Sequence, residues 1–150
     1  MEEQGQGRYS AQQFRDLVKD IPFAMFTTIT AGGALRSRPM VATENAFDGT
    51  LWFFTRTSSA VAQEIAGSQM VNVTYVSAPE DRFVSVSGAA SVVRDVERAG
   101  GMWSPAYNQW FSGGAADPEL SLIRIEVARV EFWDRKAGRM RELLTPCPAD

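Results

Sequence analysis

Residues 23–55 read FAMFTTITAGGALRSRPMVATENAFDGTLWFFT, and the fold turns on how this stretch divides. FAMFTTIT and LWFFT are dense in aromatic and β-branched residues, which favour extended chain. AGGA at 31–34 and Asp48-Gly49 supply the glycine that tight turns need. The stretch therefore predicts a three-stranded antiparallel meander: FAMFTTIT, then LRSRPMVATENAF, then LWFFT.

Outward from it, Ser10 and Gln13 have capping-box spacing, and Ala11, Phe14, Leu17, Val18 and Ile21 recur at helical intervals. That predicts an amphipathic helix over 10–20, ended by Pro22. After Thr55, the Thr57, Ser58 and Ser59 cluster opens a short helix that stops at Gly67. MVNVTYV and RFVSVSGAASVV (82–93) read as strands, with Val84, Val86, Ala90 and Val92 on one face. Gly88 interrupts that face and marks a bulge or a close approach. Residues 94–118 hold a helix near RDVERAGGMW, an aromatic stretch WSPAYNQWF and a Gly/Asp/Pro loop, and LSLIRIEVARVEFWD is a last long strand. Six or so strands with few helices predict a mainly β fold, a closed or nearly closed barrel, because closure removes exposed edges.

With 150 residues, 45% hydrophobic and 22% charged, the chain is predicted to be one globular domain, 1–150. Its core spans about 10–134 and a short tail 135–150. Fifteen basic against eighteen acidic residues give a net charge of −3, so no basic field exists to gather nucleic acid or an anionic membrane surface. The chain has no histidine, which removes Ser-His-Asp triads, Cys-His pairs and His-ligated zinc or haem. Its one cysteine, Cys147, allows no internal disulfide or CxxC metal site. No metal is expected. The opening MEEQGQGRYS has no signal-peptide pattern and no apolar run approaches a membrane span, so a cytoplasmic location is expected.

Three features could carry chemistry. The two-residue period of LRSRPM puts Arg36, Arg38 and Met40 on one strand face, either solvated or facing a ligand, and Pro39 points to an edge or bulge. Thr57, Ser58 and Ser59 either cap a helix or offer hydroxyls and free N–H groups to an anion. Trp103, Tyr107, Trp110 and Phe111 pack in a core, meet a partner or stack on a planar cofactor.

In combination and order, IPFAMFTT, SRPM, LWFFT, S-x-x-x-x-EI, VNVTY, FVSVSG, WSP…WF-x-x-G…DP and EFWD resemble the flavin-binding split-barrel family. The similarity is to its general-stress-protein branch, related to pyridoxamine 5'-phosphate oxidase, and covers roughly residues 14–134. The resemblance implies a split β-barrel and a homodimer holding flavin mononucleotide (FMN; FAD is a possible substitute) in two clefts at the subunit interface. It implies that Arg38 contacts phosphate, that Pro39 and Met40 run along the isoalloxazine, and that Phe53, Phe54 and Thr55 line the cleft. Ser59, beside Ser58 at the helix start, would bind phosphate, and Trp110 and Trp103 would come from the partner subunit. One departure stands out: relatives carry lysine where this chain has Val61, which removes a phosphate-binding cation.

The expected function is flavin-mediated redox transfer on an unknown substrate, with catalytic residues unassigned and the residues that hold substrate phosphate in the true oxidases not identifiable. The alternative is a stress protein that sequesters or senses flavin without turnover.

Overall fold

The computed structural model describes residues 2–42, 47–136 and 138–146. In chain order the elements are β1 (Glu2–Tyr9), α1 (Ala11–Val18), β2 (Phe23–Ile29), β3 (Leu35–Val41), β4 (Thr50–Arg56), α2 (Ala60–Gly67), β5 (Met70–Ser77), β6 (Arg82–Val93), α3 (Val96–Met102), β7 (Leu120–Asp134) and β8 (Arg139–Pro146). The mainly β class is as the sequence implies.

Six antiparallel strands, in the order β3-β2-β5-β6-β7-β4, curl into a half-barrel. The expected meander over 23–55 does not form. β2 and β3 make their hairpin, with Gly33 at φ 85° in the turn, but β4 pairs with β7, Thr50 opposite Glu126. Gly49, at φ 103°, turns the chain away from β3 rather than back along it. Residues 43–46 of the expected middle strand lie outside the described residues.

The physical reason is burial. β4 buries Leu51, Trp52 and Phe53 in succession, and because side chains alternate along a strand, both of its faces need cover. Beside β7 it has both. Leu51 and Phe53 enter the barrel core, where Phe53 meets Phe26 edge to face at 5.4 Å. Trp52 enters a second cluster outside the barrel with Ala99, Phe111, Leu120 and Leu122.

At one end of the barrel, α1 begins on the predicted capping box, with Ser10 and Gln13 bonding reciprocally. Its Phe14 is buried against Phe47, 4.4 Å between ring centroids, and against Tyr75. Gly88 satisfies both expectations held for it. A Cβ there would stand 2.3 Å from the Glu126 carbonyl oxygen, and the ladder with β7 slips beside it, Ser87 facing Arg129 and Gly88 facing Val127. The residue left over, Ala128, flips the parity of β7, so that Ile123 and Ile125 point inward before it and Val130 and Phe132 after it. Residues 135–150, read from sequence as a tail, instead include β8, which pairs with β7 over 130–134 and with β1 in parallel.

Among the described residues no ladder joins β3 to β4, so the barrel has a seam. α2 and three polar side chains bridge it. Arg38 of β3 donates to Glu64 Oε1 of α2 at 2.6 Å and to the fully buried Thr28 hydroxyl at 2.7 Å, and that hydroxyl donates to Glu64 Oε1 at 2.6 Å. Arg36 reaches Glu64 Oε2 at 3.4 Å. The Thr28 hydroxyl, against the opposing effect of burial, and then Arg38 and Arg36 hold the Glu64 carboxyl below its ordinary value of 4.5.

The other side of the β3-β2-β5-β6 sheet faces outward. Each strand contributes four outward positions: 35, 37, 39 and 41; 23, 25, 27 and 29; 70, 72, 74 and 76; 83, 85, 87 and 89. None carries a charged residue, although 22% of the chain is charged. Phe23, Met25, Leu35, Met70 and Val76 are exposed on it. Across its middle run hydrogen-bonded polar side chains, Thr27 with Ser37 and Asn72 with Ser85 and Ser87.

Two outcomes follow. Gly88→Ala should destabilise the chain by about 1–3 kcal/mol, since the added carbon meets backbone that can yield only by shifting a strand. An unchanged urea midpoint would contradict this. A carboxyl depressed by folding contributes stability that is complete above its ordinary range and is lost as pH falls through the folded value. Thermal unfolding followed from about pH 7 to pH 3 should therefore show wild type losing stability below about pH 4.5. Glu64→Gln, less stable at neutral pH, should lose less over that interval, and parallel acid limbs would contradict the network's role.

Candidate functional site

The seam opens as a cleft of about 380 Å³. One wall is β3 with the start of β2, giving Pro39, Met40, Val41 and Phe23. The floor is the end of β4 and the start of α2, giving Phe54, Thr55, Arg56, Ser59 and Val61. The third wall is the aromatic loop, giving Tyr107, Trp110 and Phe111.

Each element reaches the cleft for a local reason. Period two along β4 turns Phe54 and Arg56 outward while Phe53 goes to the core. Ser59 caps α2, accepting from the Ala62 amide at 3.1 Å, and its hydroxyl lies 2.9 Å from that of Thr55. The aromatic loop packs on the outside of β4. Trp103 contacts Phe54, Tyr107 and Phe111, with ring centroids 5.5, 5.5 and 6.2 Å away. Trp110 remains 41% exposed at the rim.

Two arginines pin this loop. Arg94 donates to the carbonyls of Ala116, Asp117 and Leu120. Arg56 donates to the Trp110 carbonyl and lies over the Phe111 ring, 5.1 Å from its centroid. The Asp117 side chain accepts from the Glu119 and Gly113 amides, each at 2.9 Å. Those two bonds, and then Arg56 and Arg94, hold its carboxyl below the ordinary range despite some burial.

Of the residues singled out from sequence, the cleft brings together Pro39, Met40, Phe54, Thr55, Ser59, Val61 and Trp110; Trp110, which the resemblance assigned to a partner subunit, lines the cleft of its own chain. Four others stand elsewhere. Arg38 is turned to Glu64 and Thr28. Phe53 is 1% exposed in the barrel core, where its ring meets Phe26. Ser58 donates to the Glu119 carboxylate at 2.8 Å. Trp103 packs under the loop and donates to Asn108.

Arg56, Phe23 and Val41 line the cleft without being singled out by the sequence, whereas Tyr107 and Phe111, open from sequence to core, partner or cofactor, line it as well. For Arg56 the signal was present, two positions after Phe54 on the same strand. For Phe23 and Val41 it was their pairing across the hairpin.

Arg56 is the one charged side chain among the described residues lining the cleft. Walls of aromatic rings, a proline and a methionine, with two hydroxyls and a guanidinium at the floor, suit a planar apolar molecule carrying a polar or anionic appendage. Across α2 lies another cavity of about 650 Å³, formed with the β2–β3 turn and holding Arg36, Gln63 and Glu64. Among the described residues no helix is long and apolar enough to cross a membrane, and no cluster of potential metal ligands forms.

The chain matches the family model described as pyridoxamine 5'-phosphate oxidase like over residues 9–148. The curated Protein bli-3 of Neurospora crassa is 28% identical over 120 residues, covering 73% of this chain; the chain spans 57% of that protein's length. Among solved structures, General Stress Protein 26 of Bacillus anthracis superposes with a TM-score of 0.74 at 18% identity, a likeness of fold alone, over 83% of this chain and 93% of that one. The general stress FMN/FAD binding protein of Xanthomonas citri superposes with a TM-score of 0.68 at 25% identity, over 82% and 87% of the two chains. With nearly its whole length matched and its barrel left open between β3 and β4, the chain belongs to the pyridoxamine 5'-phosphate oxidase like family and has that family's split-barrel fold.

Proposed function

We propose that this chain is a flavin-binding protein of the general stress protein type, a cytoplasmic homodimer that takes flavin mononucleotide into the cleft at the β3–β4 seam. The observation that carries this is the cleft itself: five aromatic side chains, Pro39 and Met40 surround it, and no carboxylate among the described lining residues would repel a phosphate ester. The Xanthomonas citri relative, named for binding FMN or FAD, supports the same choice of ligand.

In this reading Pro39, Met40 and Phe54 hold the isoalloxazine, and Tyr107 and Trp110 exclude water from its open side. Thr55 and Ser59 offer hydroxyls to the phosphate at the start of α2, where Val61 leaves out the lysine of relatives. Arg38 acts one step behind, by fixing Thr28 and Glu64 and so the position of α2. Bound flavin would supply reversible electron transfer, and the chain supplies binding, orientation and a dry apolar surround.

The homodimer reading draws on the uncharged outer face of β3-β2-β5-β6. Phe23, Pro39 and Val41 belong both to that face and to the cleft, so a second copy seated there would stand at the mouth of the site. A surface depleted of charge that carries exposed apolar side chains is typical of such contacts.

A second reading, binding or sequestration of flavin without turnover, is favoured by one observation. Among the described cleft residues none is a carboxylate, thiol or amine, and the chain has no imidazole, which leaves the Tyr107 phenol and solvent for general acid–base work. Anaerobic reduction of the bound flavin by a nicotinamide cofactor distinguishes the two readings.

Purified protein should show flavin absorption in the visible. Its heat-released ligand should have the mass of flavin mononucleotide rather than that of the dinucleotide, and sedimentation at micromolar concentration should give twice 16.5 kDa. A colourless chain that takes up no added flavin would overturn the ligand, and a monomer would overturn the dimer.

A further inference from the structure

We infer that Arg56 is the anion-recognition residue of the cleft, and that the ligand held there is a planar molecule bearing an acidic group. The inference rests on the reading of this cleft as a ligand site and revises which cation meets the ligand's charge.

The cation expected there from sequence, Arg38, is already occupied. Its guanidinium serves Glu64 at 2.6 Å, the Thr28 hydroxyl at 2.7 Å and the Phe26 carbonyl at 3.3 Å, and its side chain is 20% exposed. A phosphate or carboxylate bound to Arg38 would stand against the Glu64 carboxylate or displace it from a network that bridges the seam. Like charges at such separations are costly where water is scarce.

Arg56 has the opposite setting. It ends β4 on the cleft wall, and no carboxylate lines the cleft beside it among the described residues; the Asp117 carboxylate, which feels its charge, is already held by the Glu119 and Gly113 amides. A guanidinium carries five N–H donors in one plane, and the Trp110 carbonyl accepts from one of its nitrogens. The Phe111 ring, 5.1 Å from the guanidinium carbon, and the Trp110 carbonyl hold the group in place, so less side-chain freedom is lost when an anion arrives. The Thr55 and Ser59 hydroxyls, 2.9 Å apart on the same floor, can complete an oxyanion's coordination. The aromatic rings of Tyr107 and Trp110 beside them take the flat part of the molecule.

The anion has two sources with the same chemistry: the phosphate of the cofactor, or an acidic substituent on a second planar molecule stacked against it. Binding of two ligand pairs to wild type, Arg56→Gln and Arg56→Lys, followed by tryptophan fluorescence at low and high ionic strength, tests both. The pairs are flavin mononucleotide with riboflavin, and 1,4-naphthoquinone-2-sulfonate with 1,4-naphthoquinone. Wild type should prefer the charged member of at least one pair, less so at high salt. Arg56→Gln should cost that member about tenfold or more while leaving its neutral counterpart nearly unchanged, and Arg56→Lys should keep part of the preference. A response confined to the flavin pair assigns the anion to cofactor phosphate, and one in the naphthoquinone pair assigns it to a second ligand. Equal losses for charged and neutral members would reduce Arg56 to a pin for the Trp110 wall and overturn the inference, as would no response in either pair. Wild type that ignores both flavins yet discriminates the sulfonate would sink the flavin reading and leave Arg56 standing. Wild type that binds flavins with no preference for charge in either pair would do the reverse.

Discussion

Strand β4 must be covered on both faces. Leu51, Trp52 and Phe53 are consecutive and all buried, and at roughly 1.5–3 kcal/mol for each large apolar side chain taken out of water, no arrangement that leaves one face wet competes. Beside β7 the inner face joins the barrel core and the outer face is roofed by α3 and the aromatic loop. That position takes β4 away from β3, its neighbour in sequence, and the seam between them follows. β7 has room for this because it is 15 residues long: β4 occupies its first half and β8 its end, with the Ala128 bulge between.

A seam in a barrel exposes two strand edges, and here one edge lines the cleft. α2 crosses behind it, held by Arg38, Glu64 and Thr28, and this half-buried polar network is worth keeping only intact, since removing one partner leaves the other's charge without compensation. The division between the arginines follows. Arg38, with 20% of its side chain exposed, belongs to the scaffold. Arg56, exposed and stacked on Phe111, belongs to the cleft. Val61 fits the same arrangement: it is 6% exposed and packs into the core while touching the cleft floor, so the start of α2 contributes shape and hydroxyls rather than charge.

Much of this was legible in the sequence where the signal was local. The capping box of α1, the Ser59 cap of α2 and the β2–β3 turn each lie within a few residues of their cause, and at Gly88 a glycine interrupting a strand pattern marks a close approach whose partner, Glu126, is distant in sequence. The pairing of β4 with β7 does not, because its first rung joins Thr50 to Glu126 and the intervening turn at Asp48-Gly49 suits a hairpin just as well. Glu64 as the partner of Arg38 is equally non-local. β1 left no trace because EEQGQGRY has no apolar alternation, so only its backbone ladder defines it. Of the site, the floor and the β3 wall were found. Arg56 is legible only through its place two positions after Phe54, and choosing among the core, partner and cofactor roles open to the aromatic loop depends on β4's need for an outer roof, which is a non-local requirement.

The central claim is that the β3–β4 seam is where a planar ligand binds. Hydrogen exchange of the full chain with and without flavin mononucleotide tests it most directly, because local protection reports which backbone segments a ligand holds closed. Exchange should slow in segments 38–42, 54–62 and 107–111 and stay unchanged in 82–87 near the barrel's centre. Bound flavin that slows only 29–36 and 63–68, around the cavity on the far side of α2, would contradict the account.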